Sequence, residues 1–236
     1  MRFTRSAARV FVNYEDPGSL ASRIRKRRIG PLVDLVKAAR HRYDHVRILD
    51  MGGTKTYWAI LPNDVFGERK VHITLVNLPD SSTPADDERF AFVAADGCDM
   101  RERFADRSFH IVHSNSVIEH VGDWQRMTAF AREVRRLAPA YFVQTPNFWF
   151  PIEPHFMVPV FHWLPEPVRV ALVRRFDLGY VKRQPDIDKA VELVESVRLL
   201  NRKMFSFLFP DGKLVIERIF GLPKSFVAIR GFNGGK

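Results

Sequence analysis

His120 directly follows Glu119, and His155 lies two places after Glu153. A neutral imidazole accepts a proton near pH 7, so His120 is a candidate general base. Glu153 and His155 together could bind or deprotonate a hydroxyl. The plainer reading is that each acid–imidazole pair ties a loop to the core. Three other clusters suit ligand binding better than proton transfer. Asp50-Met-Gly-Gly-Thr54 sets an acid just before two glycines; Gly52 and Gly53 lack a Cβ, so a ligand can approach the backbone there, and the acid can accept from an ammonium. Asn77 and Leu78 precede a proline, and an amide can accept from one hydroxyl while donating to another. Asp96-Gly97-Cys98 offers an acid, a backbone N–H and a small apolar wall. Spacing alone suggests no metal cluster, and a single cysteine excludes both an intramolecular disulfide and a cysteine-rich zinc site.

The elements that must hold these residues follow from apolar periodicity. Val46–Met51 is a short apolar strand delivering Asp50 and the glycines, and Thr54–Leu61 can begin a helix capped by Thr54 or Thr56. Val71–Leu78, Phe90–Ala95, Ser108–Ser114 and Ala140–Gln144 are four more strand candidates. Asp123 can cap a helix that puts Met127, Ala131, Val134 and Ala138 on one face. Leu214–Phe220 and Ser225–Arg230 form a hairpin around Gly221-Leu-Pro-Lys224. Residues 19–42 are helical, with Gly30-Pro31 expected as a break. Strands alternating with helices imply a parallel sheet with right-handed crossovers, and the closing hairpin adds antiparallel pairing at one edge.

On these residues the chain resembles the class I S-adenosylmethionine-dependent methyltransferases, in particular the small-molecule, type 11-like group. The family's first strand usually carries an acid followed by glycine-x-glycine-x-glycine. Gly52 matches the first glycine, whereas Thr54 and Thr56 stand where later ones are expected. The segment from Phe104 to Val121 is similar to the family's fourth-strand block, with His110 where aspartate is usual. Gln144-Thr-Pro-Asn147, Pro151-Ile-Glu-Pro-His155, Phe209-Pro-Asp-Gly212 and Glu217–Ser225 resemble a bacterial subgroup. The match spans roughly residues 46–230.

The resemblance implies an α/β fold, a three-layer Rossmann-like sandwich around a mostly parallel seven-stranded sheet with a C-terminal antiparallel hairpin. It implies S-adenosyl-L-methionine as cofactor, held by Asp50, Gly52, Gly53, Thr54, Asn77, Leu78, Asp96, Gly97, Cys98, Ser114 and Asn115. His120, His155 and Glu153 are then the catalytic candidates, and Asp80 is a fallback for Asn77. The reaction implied is methyl transfer to an oxygen or nitrogen of a small-molecule, sugar or lipid-like acceptor. One rival is a binding module of the same fold that has lost the donor; another is a nucleic-acid methyltransferase using a basic arm. A nicotinamide enzyme is disfavoured by the terminal hairpin and the incomplete glycine fingerprint.

The charge is unevenly placed. Residues 1–47 hold twelve Lys and Arg against four acids, while the other 189 hold 25 against 23. We therefore expect a basic helical extension over residues 1–45, then the methyltransferase domain over 46–236 with a lid insertion at about 148–185. The extension is either a solvated face or an arm for an anionic membrane surface. Nucleic acid is the less favoured partner, because the arm lacks interleaved aromatics. The lid, from Phe156 to Arg175, mixes large apolar side chains with arginines and suits a lipid-like acceptor or a packed cover. No apolar run reaches the roughly 20 residues of a membrane span, and no apolar segment follows Arg2, Arg5 and Arg9 as a secretory signal would require. The resulting expectation is a cytoplasmic protein that can sit peripherally on a membrane surface.

Overall fold

The structure is a computed structural model that describes residues 20–66, 71–79 and 86–232. Most of the basic arm, including Arg2, Arg5 and Arg9, lies outside the described residues, as does Asp80.

The helices are α1 (Leu20–Arg42), α2 (Lys55–Trp58), α3 (Asn63–Phe66), α4 (Trp124–Leu137), α5 (Glu166–Arg175), α6 (Ile187–Glu195) and α7 (Arg202–Leu208). The strands are β1 (Val46–Met51), β2 (Val71–Asn77), β3 (Phe90–Ala94), β4 (Ile111–Asn115), β5 (Ala140–Pro146), β6 (Ile152–Glu153), β7 (Val158–Pro159), β8 (Lys213–Ile219) and β9 (Leu222–Arg230). Seven strands form one sheet in the order β3-β2-β1-β4-β5-β9-β8, and β6 pairs with β7 separately. The first five are mutually parallel; β9 runs antiparallel to both β5 and β8. This is the sheet expected from the sequence.

The central strands are buried on both faces, and two hydrophobic cores lie on opposite sides of the sheet. On one side α4 and α7 pack Met127, Phe130, Val134 and Phe205 against Leu49, Val112 and Val143. On the other, α1 contributes Leu32, Leu35, Val36 and Ala39 against Ile48, Ile73 and Phe142. That packing explains why Gly30-Pro31 does not break α1, contrary to expectation: Pro31 lies inside a continuous helix. An interior proline costs roughly 3 kcal/mol, but burying an aliphatic side chain returns about 1.5–3 kcal/mol, and three large ones follow Pro31 directly.

Three local expectations need correction. β4 begins at Ile111, not Ser108. His110 stays outside it, its Nδ1 accepting from the Arg47 N–H at 3.0 Å, the role an aspartate could fill, with Tyr43 stacked on the ring at 3.9 Å. Thr54 is the N-cap residue of α2 but makes no side-chain cap bond. The hairpin turn is Phe220-Gly221 alone, both at positive φ (49° and 79°), and Leu222-Pro223 already belong to β9. A two-residue turn with both φ positive matches strand twist, which Gly221 allows without cost.

Asp123 does cap α4, accepting from the Arg126 N–H. Between β5 and α7 the chain builds β6, β7, α5 and α6 around a third core of Phe156, Phe161, Val170, Val173, Ala190 and Val194. The base of this excursion is pinned where the Phe148 N–H donates to the Leu200 carbonyl at 2.9 Å.

Candidate donor cleft and the histidine pair beside it

A cleft of about 620 Å³ opens at the carboxyl ends of β1, β2 and β3. That is where open α/β sheets take ligands, and the size lies within the usual range for small-molecule sites. Its walls include Gly52, Gly53, Thr54 and Thr56 after β1, Asn77 and Leu78 after β2, and Asp96 and Gly97 after β3. Val117, His120 and Val121 close the side that follows β4.

The glycines of the first turn are required by sterics. Gly52 has φ +76°, and a Cβ there would lie 2.5 Å from a Val117 methyl. A Cβ on Gly53 would fall 1.6 Å from Asp50 Oδ2. The second clash exposes a correction. Asp50 does not face the cleft. It is fully buried, with Oδ2 accepting from Trp58 Nε1 and Oδ1 from His113 Nδ1, both at 2.6 Å. Its carboxylate therefore braces the turn from beneath. Trp58 and His113 leave no periodic signal in the sequence that would place them beside Asp50.

Asn77 sits at the rim and donates through Nδ2 to the Gly53 carbonyl at 3.1 Å, tying the end of β2 to the glycine turn. Leu78 is exposed beside it. Asp96 accepts from the Cys98 N–H in a tight turn and from Arg126 Nη2 at 2.8–2.9 Å. Burial pushes its carboxyl up, but the Cys98 N–H and the Arg126 guanidinium together hold it below the ordinary range. Arg126, itself a cleft wall, is a residue the sequence reading missed; its position one turn past the Asp123 cap was the available signal. Gly97 keeps the floor thin: a Cβ would press at 3.2 Å on the Phe130 ring.

Cys98, Ser114 and Asn115 do not line the cleft, contrary to expectation. Cys98 is buried, its thiol directed at the Arg126 carbonyl and its pKa pushed up to about 11, mainly by burial. Ser114 is also buried, donating to the Met51 carbonyl at 3.1 Å. The chain instead turns sharply at Ser116, in the left-handed region at φ 56°, and presents Val117 and His120 to the cleft.

The three catalytic candidates do come together. His120 Nε2 lies 3.1 Å from His155 Nε2, and its Nδ1 lies 3.0 Å from the Ser196 carbonyl. His155 Nδ1 is 2.7 Å from Glu153 Oε1, and the other Glu153 oxygen accepts from the Phe156 N–H. Burial and the neighbouring imidazole lower the His120 pKa. Burial lowers that of His155 too, but the hydrogen bond and charge of Glu153 outweigh it and leave the pKa raised. Glu119, which the sequence suggested only as a partner of His120, is 1% exposed and accepts from Thr145 Oγ1 at 2.9 Å. Burial raises its pKa to about 7. A smaller cavity of about 150 Å³, lined by Glu153, His162, Glu166, Arg169 and Arg198, lies within the excursion.

The cleft brings together two glycines whose Cβ positions are already filled, an amide at the end of β2 and, after β3, an acid beside a thin-floored wall. It departs from the family pattern in the inward-turned Asp50 and in Thr54 and Thr56.

Neither the protein-family models nor the curated proteins contain a match to the chain. Solved structures do match. A carbon methyltransferase, CurJ, superposes with a TM-score of 0.51 at 12% identity, covering 96% of this chain and 58% of that one. The N-terminal domain of EvdMO1, solved with S-adenosylhomocysteine and D-fucose, gives 0.47 at 14% identity over 86% and 83%. An O-methyltransferase family protein from Burkholderia thailandensis gives 0.47 at 16% over 98% and 70%. At such identities the likeness speaks to architecture. With its strand order and antiparallel β9, the chain has the fold of the class I S-adenosylmethionine-dependent methyltransferases.

Proposed function

We propose that this protein is an S-adenosylmethionine-dependent methyltransferase that methylates an oxygen or nitrogen of a small apolar or lipid-like acceptor. The observation that carries the reading is the cleft: Gly52-Gly53, Asn77 and Asp96-Gly97 converge on one space at the carboxyl edge of the sheet. When bound, the donor supplies an already activated methyl group. The protein's task is alignment and exclusion of water, and alignment of reacting groups can supply roughly 7–11 kcal/mol. Gly52 and Gly53 let the backbone close on the donor, Asn77 offers its amide to the ribose, and Asp96 faces the adenine. The His120–His155–Glu153 chain, starting at the cleft wall, handles the acceptor and its proton, a contribution typically of 10²–10⁴-fold.

The excursion favours an apolar acceptor. Trp149 and Trp163 are 64% and 41% exposed with rings 6.2 Å apart, and Val160, Val168 and Tyr180 are exposed as well. No described helix is long and apolar enough to cross a membrane. These aromatics and the basic N-terminal segment together support an enzyme that touches an anionic membrane surface. Co-sedimentation with phosphatidylglycerol vesicles, weakening as salt rises, tests that contact; no binding at low salt removes it.

S-adenosylhomocysteine should raise the melting temperature of the full chain, and Asp96→Ala should abolish most of that rise. The Asp96–Arg126 pair is half-exposed, so its loss should cost at most about 1 kcal/mol of stability, and loss of the Cys98 N–H bond adds about 0.5–1.5 kcal/mol. No shift in the wild type would instead support a binding module that has lost the donor.

A further inference from the structure

The two histidines face each other through atoms that cannot both be donors or both acceptors. The Ser196 carbonyl only accepts, so His120 Nδ1 carries a hydrogen. The Glu153 carboxylate likewise fixes the hydrogen of His155 on Nδ1. In their neutral forms both Nε2 atoms therefore present bare lone pairs to one another across 3.1 Å. Glu119 stands close by: one of its carboxylate oxygens and one ring nitrogen from each histidine all lie within 4.8 Å of one another. Oε1 of Glu119, in a side chain 99% buried, has no hydrogen-bond partner among the described residues. Glu153 is also buried, so two carboxylates share this pocket with two imidazoles. Buried carboxylates of that kind are stabilised by a proton or by a bound cation.

We propose that Glu119, His120 and His155 form a binding site for a borderline divalent cation of the Zn²⁺ type. Two imidazoles and one carboxylate are a common open ligand set for such ions. With metal–nitrogen distances of about 2.0–2.1 Å, a 3.1 Å nitrogen separation corresponds to an N–M–N angle of about 95–100°, within reach of both tetrahedral and octahedral coordination. Glu153 takes the outer position, its carboxylate orienting the ring of His155 as outer carboxylates orient ligating histidines. The Ser196 carbonyl does the same for His120. A three-ligand ion keeps positions open, and His120 belongs to the cleft wall, so a hydroxyl bound to the ion would lie beside the cleft. An acceptor hydroxyl would then be ionised by the cation rather than by a free imidazole.

The test uses the chelator-treated full chain with Co²⁺ and Zn²⁺ as probes and no methyl donor, so its result is independent of the methyltransferase reading. We expect saturable uptake of one Co²⁺ per chain with visible d–d absorption, displaced by Zn²⁺. His155→Ala and Glu119→Gln should lose it, and Glu153→Gln should weaken it about 10–100-fold. Should a variant not fold, ¹⁵N imidazole spectra of the wild type serve instead: Zn²⁺ should shift both Nε2 resonances while both Nδ1–H signals persist. Absence of saturable uptake, or a wild-type spectrum showing one proton shared between the Nε2 atoms and unmoved by Zn²⁺, would overturn the proposal.

Discussion

Asp50→Asn separates a carboxylate that braces the fold from one that binds ligand. Asp50 is sealed from solvent and accepts two N–H groups, from Trp58 and His113, at 2.6 Å each. Asparagine keeps the shape but has only one oxygen. Whichever way the amide turns, its NH₂ faces one of the two donors. If it faces His113, the ring can move its hydrogen to Nε2, but that atom is buried without a partner among the described residues. One polar hydrogen is thus left unpaired in every arrangement, costing about 1–3 kcal/mol, and the surviving bond weakens because its acceptor is no longer a carboxylate. We expect a loss of roughly 2–4 kcal/mol, which for a chain of this size lowers the melting temperature by roughly 5–12 °C. Calorimetry measures this directly. The rise produced by S-adenosylhomocysteine should persist in the variant, because the carboxylate does not reach the cleft. Unchanged stability with the ligand effect abolished would refute the bracing role and return Asp50 to the ligand.

Gly53→Ala should be at least as damaging, since the new methyl group occupies the site of the Asp50 carboxylate; urea unfolding of Gly53→Ala and of the double variant with Asp50→Gly should show partial rescue in the double variant, and simple additivity would refute the clash. Cys98, with its pKa pushed up to about 11, holds its proton at pH 8, where a thiol at the ordinary 9.0 is already about a tenth ionised. It should react with a disulfide reagent many-fold faster in urea than in the native chain. Equal rates would show the thiol to be accessible and unshifted.

Most of the sheet was legible because its strands are short apolar runs punctuated by glycine and proline, and a class of ligand site follows from a sheet's topology. Individual site residues were less legible. Asp50 and Ser114 occupy family-like positions, yet their side chains turn inward to Trp58, His113 and the Met51 carbonyl. Which way a side chain turns at a strand's end depends on partners distant in sequence: His113 is 63 residues from Asp50. The same holds for the continuous α1, where tertiary burial of Leu32, Leu35 and Val36 overrides a local break signal. The Glu119–His120–His155 group escaped spacing arguments because His155 arrives 35 residues later, from a separately packed segment.

That segment leaves the sheet after Asn147 and returns at Leu200, its two ends fastened by the Phe148–Leu200 hydrogen bond. No residue of the segment lines the cleft, whereas Glu153 and His155 both belong to the segment. Under the proposed function, donor binding and acceptor choice would be written in different stretches of chain. An excursion with adjoining ends can be exchanged at little loop-closure cost. In evolution or in the laboratory, a graft between residues 148 and 199 could change what is methylated while leaving the way the methyl group is delivered untouched.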